Sequence, residues 1–102
     1  MNESIAVLLT THNRKDKTVE CLTHLYNNNN DIDTFLVDDM SSDGTDKTIR
    51  NMFPKVNIIL GNGNLFWNQG MRLAWKNAVE NKEYDFYLLL NDDTNLDNNA
   101  ID

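Results

Sequence analysis

Apolar residues in this chain follow two rhythms. Four short apolar stretches stand out: Ile5-Ala6-Val7-Leu8-Leu9, Phe35-Leu36-Val37, Val56 to Leu60, and Phe86-Tyr87-Leu88-Leu89-Leu90. The first and last are unbroken, which suits strands covered on both faces in a parallel sheet. Between the stretches the spacing changes to steps of three and four. Val19, Leu22, Leu25 and Tyr26 make one such stripe; Trp67, Met71, Ala74, Trp75, Ala78 and Val79 make a longer one. Each predicts a helix with one face in the core, and Trp75 is placed on that face. A third, short helix is expected over Thr45 to Met52, before Pro54, which disfavours helical backbone in the residue ahead of it. Asn13, with an acid three residues on at Asp16, has the pattern of a helix cap, and Ser42 or Asp43 can cap the short helix in the same way. The order β-α-β-α-β-α-β predicts an α/β fold, a Rossmann-like three-layer sandwich with a mostly parallel sheet and right-handed crossovers.

Each strand runs out into a polar segment. The four segments are Thr10-Thr11-His12-Asn13-Arg14, Asp38-Asp39-Met40-Ser41-Ser42-Asp43-Gly44-Thr45, Gly61-Asn62-Gly63-Asn64, and Asn91-Asp92-Asp93-Thr94-Asn95. In an open parallel sheet all four come to the carboxyl edge, where such folds bind ligands. The turn after the first strand has no glycine, so a dinucleotide fingerprint is absent. No Gly-Lys-Ser/Thr phosphate loop is present either. Receiver and haloacid-dehalogenase phosphoryl-transfer domains need an acid at the end of the first strand, and here that strand runs into Thr10-Thr11. Acids crowd this edge (Asp38, Asp39, Asp43, Asp92 and Asp93), with Arg14 and Arg72 as the nearby cations. Bare carboxylates repel a diphosphate. A hard divalent cation, Mn²⁺ or Mg²⁺, between them reverses the sign, and Asp92-Asp93 directly after a buried strand suits that role.

Bulk properties narrow the setting. The chain has 102 residues, 40% of them hydrophobic, and a formal net charge of −7. That charge argues against nucleic acid or an anionic membrane as a partner, since both call for clustered Lys and Arg. The single cysteine, Cys21, excludes an internal disulfide or a cysteine-based zinc site and reads as a small buried hydrophobe. His12 has no nearby His or Cys to complete a zinc site, and His24 lies beside the first stripe, at the surface. No signal peptide or membrane-spanning run is visible, so a cytoplasmic location is the default expectation.

The motifs resemble one family. Ile5 to Arg14, an apolar strand entering Thr-Thr-His-Asn-Arg, resembles the opening strand of family-2 glycosyltransferases. Val37-Asp38-Asp39-Met40-Ser41-Ser42-Asp43-Gly44-Thr45 is similar to their V-D-D-x-S-x-D-G-T motif, nearly position for position. Asn91-Asp92-Asp93 looks like their D-x-D-type metal motif, with Asn in place of the first acid. Gly61 to Arg72 (GNGNLFWNQGMR) resembles the loop and helix after the third strand in a subgroup close to rhamnosyltransferases. The resemblance runs along essentially the whole chain, in the family's order.

That resemblance implies a GT-A fold, truncated, with residues 1–102 as the N-terminal part that binds a nucleotide-diphospho-sugar; the acceptor-binding part is expected beyond residue 102. The implied reaction is metal-assisted, inverting transfer of the sugar to a saccharide or lipid-linked acceptor, in polysaccharide or glycolipid assembly. Asp39 falls on the base-binding position, and an ionised carboxylate, which only accepts, suits the N3–H of uracil or thymine. Thr10 and His12 would flank the same base, with Asn13, Arg14 and Asn68 as further nucleotide contacts. Asp93 would hold the metal and Asp92 would lie near the sugar. Trp67 divides between sugar contact and core packing, and Arg72 between a phosphate contact and a solvent-facing helix position. The family's catalytic base comes from a later segment, so none is assigned within this chain. Alone, the chain is expected to act as a non-catalytic nucleotide- and metal-binding module. For the full-length protein, peripheral membrane association is compatible with a glycolipid acceptor. Homodimerisation would cover sheet surface that a shortened domain leaves open.

Overall fold

The computed structural model describes residues 4–28 and 31–91. Seven elements occur in the expected order: β1 (Ile5–Thr11), α1 (Lys15–Asn28), β2 (Ile32–Asp38), α2 (Thr45–Met52), β3 (Asn57–Leu60), α3 (Phe66–Asn81) and β4 (Phe86–Asn91). The four strands form one sheet in the order β3-β2-β1-β4, all parallel. Ile5 of β1 lies opposite both Ile32 of β2 and Phe86 of β4. The first strand in sequence is therefore central, and the chain reverses direction across the sheet after β3.

Alternation along the strands splits the core into two layers. Val7 and Leu9 of β1 and Leu36 of β2 join Cys21, Leu22 and Leu25 of α1 and Ile49 of α2 on one face. Ala6 and Leu8, with Phe35 and Val37, meet Met71, Ala74 and Ala78 of α3 on the other. The three-layer architecture results from this division, with α3 alone on its face. Leu8, Leu9, Leu22, Leu25 and Leu36 have no exposed surface, and each such side chain stabilises the fold by roughly 1.5–3 kcal/mol. Cys21 is buried and His24 exposed, as their positions predicted.

Three expectations change. Trp75 is 50% exposed and Val79 also lies on the surface. One helix on this face covers β1 and β2, so the flank of α3 bearing these residues has no layer beneath it. Strand β2 begins at Ile32, earlier than its apolar run, because Asp33 and Thr34 carry the strand while bonding to other elements: Asp33 accepts from the Tyr84 hydroxyl and Thr34 pairs with the Tyr26 hydroxyl. Asn13 does not cap α1. Its side chain turns to the loop after β2, and the Asp43 carboxylate accepts the Lys15 N–H instead. No helix among the described residues is long and apolar enough to cross a membrane.

Candidate ligand site at the carboxyl edge

The loops after β1, β2 and β3 meet at one edge of the sheet. Asp38 ends β2 and is 1% exposed, and its Oδ1 accepts the Ser41 N–H at 3.0 Å, closing a turn within the loop. Its carbonyl accepts the Gly61 N–H and so ties the loop after β3 to the strand. Asp39, 3% exposed, reaches further. Its Oδ1 accepts the Gly63 N–H at 2.7 Å, and its Oδ2 accepts those of Leu65 and Phe66 at 3.0 and 3.2 Å. One carboxylate thereby organises the whole 61–66 segment and the entry into α3. Gly61 lies so close that an added Cβ would sit 2.6 Å from Asp39 Oδ1, which excludes any larger residue there without a shift.

His12 and Asn13 extend from the end of β1. His12 Nδ1 lies 2.6 Å from the Asp39 carbonyl oxygen and Nε2 lies 3.3 Å from Asn13 Nδ2. Asn13 Oδ1 accepts from the Ser42 N–H at 2.7 Å. Asp43 accepts the Lys15 N–H through Oδ2, and the Thr45 N–H and hydroxyl through Oδ1, so one side chain serves the starts of both α1 and α2. These donors, the Thr45 hydroxyl foremost, hold the Asp43 carboxyl below the usual carboxylate range. Thr10 lies under the first turns of α3, where an added Cβ on Gly70 would come 2.3 Å from its Cγ2. Among the described residues its Oγ1 is the one buried side-chain polar atom without a hydrogen-bond partner.

Among the described residues, three other than glycine have left-handed backbone: Asn13 (φ 51), Met40 (φ 57) and Phe66 (φ 54). Asn13 and Met40 lie in two different loops at this edge, and Phe66 opens α3 beside them. Such conformations cost of order 1–3 kcal/mol apiece for residues with side chains, and they gather where binding or catalysis dictates the backbone. Met40, Phe66 and Trp67 are also 63, 75 and 46% exposed, giving the rim an apolar side.

The expected nucleotide residues Thr10, His12, Asn13, Arg14 and Asp39 are thus brought to one edge, with Trp67, Asn68 and Arg72 in the first two turns of α3 beside it. Asn68 and Arg72 are exposed. Asp92 and Asp93 lie outside the described residues. No group of three or more His, Cys, Asp or Glu that could hold a metal occurs among the described residues. The carboxylates of Asp38, Asp39 and Asp43 are each engaged by backbone N–H groups. What sequence reasoning missed is the structural work of Asp39 and the bond from Lys15 to Asp43, since these partners lie in other segments and no local spacing announces them. The contact of Asp43 with Thr45 at the start of α2 was anticipated.

Comparison with known proteins agrees with this fold. The family profile described as "Glycosyl transferase family 2" matches residues 6–101. Among solved structures, residues 1–349 of TarS from S. aureus superpose with a TM-score of 0.73 at 20% identity, over 93% of this chain and 29% of that one. The same TarS fragment in complex with UDP gives 0.69 at 21% identity, over 88% and 27%. The mannosyltransferase PcManGT from Pyrobaculum calidifontis, in complex with GDP-Man and Mn²⁺, gives 0.65 at 19% identity, over 91% and 28%. At such identities the likeness is one of fold, and the chain spans less than a third of the length of these structures. Comparison with curated protein sequences finds no match.

Proposed function

Because the chain belongs to glycosyl transferase family 2, we propose that it is the donor-binding part of a GT-A enzyme that moves a sugar from a nucleoside-diphosphate carrier to a saccharide or lipid-linked acceptor with inversion. The observation that carries this reading is the convergence of the loops after β1, β2 and β3 on one edge, around His12, Asp39 and the first turn of α3. The strand order reverses at β1, and ligands of open α/β sheets sit at such a reversal. The UDP and GDP-Man bound to the similar structures are consistent with a nucleotide at this edge.

In this reading the base lies against Thr10, His12 and Asp39. The Asp39 carboxylate already accepts three backbone N–H groups, and two carboxylate oxygens offer about four acceptor positions, which leaves room for one further donor from a ligand. Asn13, Arg14 and Asn68 border the nucleotide, and Trp67 and Arg72 face the sugar and phosphates. On the resemblance of Asn91-Asp92-Asp93 to the family's metal motif, the metal role is assigned to Asp93, with Asp92 toward the sugar. Oxygen donors of this kind suit Mn²⁺ or Mg²⁺. When bound, the cation would neutralise charge developing on the departing diphosphate. The Asp38, Asp39 and Asp43 carboxylates are occupied by backbone donors, which is consistent with a proton acceptor supplied from outside this chain.

Calorimetric titration with a panel of nucleoside diphosphates tests the reading. Binding is expected in Mn²⁺ or Mg²⁺, weaker in the Asp39→Ala variant, and lost in Asp93→Ala or excess chelator, with no sugar transfer by the 102-residue chain alone. Equal affinity with and without chelator would remove the metal from the scheme. Absence of binding to every diphosphate would remove the donor site.

A further inference from the structure

The hydrogen bonds joining the loops after β1 and β2 have a direction that can be read from their two ends. The Ser42 backbone N–H can only donate, and it points at Asn13 Oδ1 from 2.7 Å, with the Ser42 hydroxyl a second donor at 3.3 Å. The carbonyl side of the Asn13 amide is thereby fixed toward Ser42. The NH₂ side, a donor without acceptor capacity, faces His12 Nε2 at 3.3 Å. Nε2 must accept and therefore carries no hydrogen. The ring proton is then on Nδ1, 2.6 Å from the Asp39 carbonyl oxygen, which can only accept. Amide orientations and histidine tautomers are ordinarily assigned rather than seen. Here both ends of the relay are backbone groups of known polarity, so the assignment rests on chemistry alone.

We propose that Asn13 is a positioning residue that holds His12 as the neutral Nδ1–H tautomer, so that the imidazole meets a ligand at this edge through its ring carbons alone. A second proton on the ring would set Nε2–H against the Asn13 NH₂. Turning the Asn13 amide to relieve that conflict would set the same NH₂ against the Ser42 N–H. Asparagine suits position 13 twice over: it tolerates the left-handed backbone (φ 51), and it offers an acceptor to one loop and a donor to the other. Aspartate would lack the donor and glycine both. For the ligand, which rests on the donor-site reading, the consequence is a division of labour. His12 presents a flat uncharged face to a ring, and the phosphate charge is left to Arg14, Arg72 and a cation.

Nitrogen NMR of the histidine rings tests this at neutral pH without nucleotide, with the second histidine identified through His24→Gln. In the native chain His12 should show a protonated-type Nδ1 and an unprotonated-type Nε2. In Asn13→Asp the new carboxylate turns an acceptor toward Nε2, and the Nε2 signal should move toward the protonated type. Addition of a saturating nucleoside diphosphate to the native chain should leave the two types as they were. A native ring protonated on Nε2 or on both nitrogens, an Asn13→Asp ring identical to the native one, or a proton gained on nucleotide binding would each overturn the proposal. The native spectrum needs no variant to fold. Failure to bind any diphosphate would instead count against the donor site while leaving the tautomer result intact.

Discussion

Thr10 and Gly70 fill the same small space between β1 and α3: a methyl group added at position 70 would lie 2.3 Å from Thr10 Cγ2 and 2.5 Å from Thr10 Oγ1. The neighbour is a β-branched side chain with little freedom to turn away, and both elements are locked in the core. Gly70→Ala gains up to about 1 kcal/mol in helix propensity, while overpacking costs about 1–3 kcal/mol. Packing decides the sign. The variant should unfold at lower denaturant concentration, and Thr10→Ala in the same chain should recover only part of the loss, because the Thr10 Cβ it keeps would still lie 2.9 Å from the added methyl. A Gly70→Ala protein as stable as the parent would show that α3 stands further from β1 than these distances imply.

A second outcome concerns Asp39. Asp39→Asn keeps the shape but turns an amide NH₂ toward backbone N–H groups that need an acceptor. Hydrogen bonds to a charged group contribute roughly 1.5–3 kcal/mol each when measured singly, although three sharing one carboxylate will not add. The expected signature is local. Amide exchange at Gly63, Leu65 and Phe66 should accelerate strongly, with the β1 amides little changed. Uniform acceleration would mean that Asp39 acts on the whole fold.

Acid should loosen the starts of α1 and α2 together. The Asp43 carboxyl is lowered from its ordinary 3.8, first by the Thr45 hydroxyl and also by the Lys15 and Thr45 N–H groups. A depressed value means that the folded state prefers the anion. Its contribution is therefore complete above the ordinary value and fades as pH falls through the lowered one. Asp43→Ala should cost about 1 kcal/mol at neutral pH, as for lost caps elsewhere. It should also flatten the acid dependence of amide protection at Lys15 and Thr45.

At the other end of the sheet the alkaline limit is set by Tyr84. Burial and the hydrogen bond to Asp33 (2.6 Å) push its phenol from 10.0 up to about 12. A raised value favours the neutral phenol in the fold, so this stabilisation is full below 10.0 and is lost as pH rises through about 12. Ultraviolet titration should show a late tyrosine step from Tyr84, with Tyr26 also raised by its burial. Tyr84→Phe should remove that late step and cost about 1 kcal/mol near neutrality.

Much of this molecule was written in its apolar rhythm. The strand runs and the buried Met71, Ala74 and Ala78 are legible from spacing, because periodicity reports which side of an element meets a core, and the α2 span is legible from Pro54 and the capping residues before it. Trp75 and Val79 show where that logic stops. Spacing gives the apolar arc of a helix but not the width of the layer below it, and α3 has only part of its arc over strands. At the site, spacing and motif brought out Asp39 and His12 as residues. The partners of Asp39 at Gly63, Leu65 and Phe66, the bond of His12 to the Asp39 carbonyl, and the contact of Asn13 with Ser42 depend on how three separate loops meet, which no local pattern encodes. The proposed metal acid Asp93 lies outside the described residues, so its place in the site is a matter for the chelator experiment.

The strand order carries a consequence for how the protein is made. Of the four strands β1 is synthesised before the others, yet one of its two edges is filled only by β4, and just outside that pair Ser4 and Asp85 bond across 81 positions. Until that late segment appears, the central strand β1 keeps an open hydrogen-bonding edge. Long-range parallel pairing of this kind is slow to form and invites pairing between nascent chains. Halting synthesis before Phe86 should therefore yield insoluble product, and adding β4 should restore solubility more than any substitution on the helices.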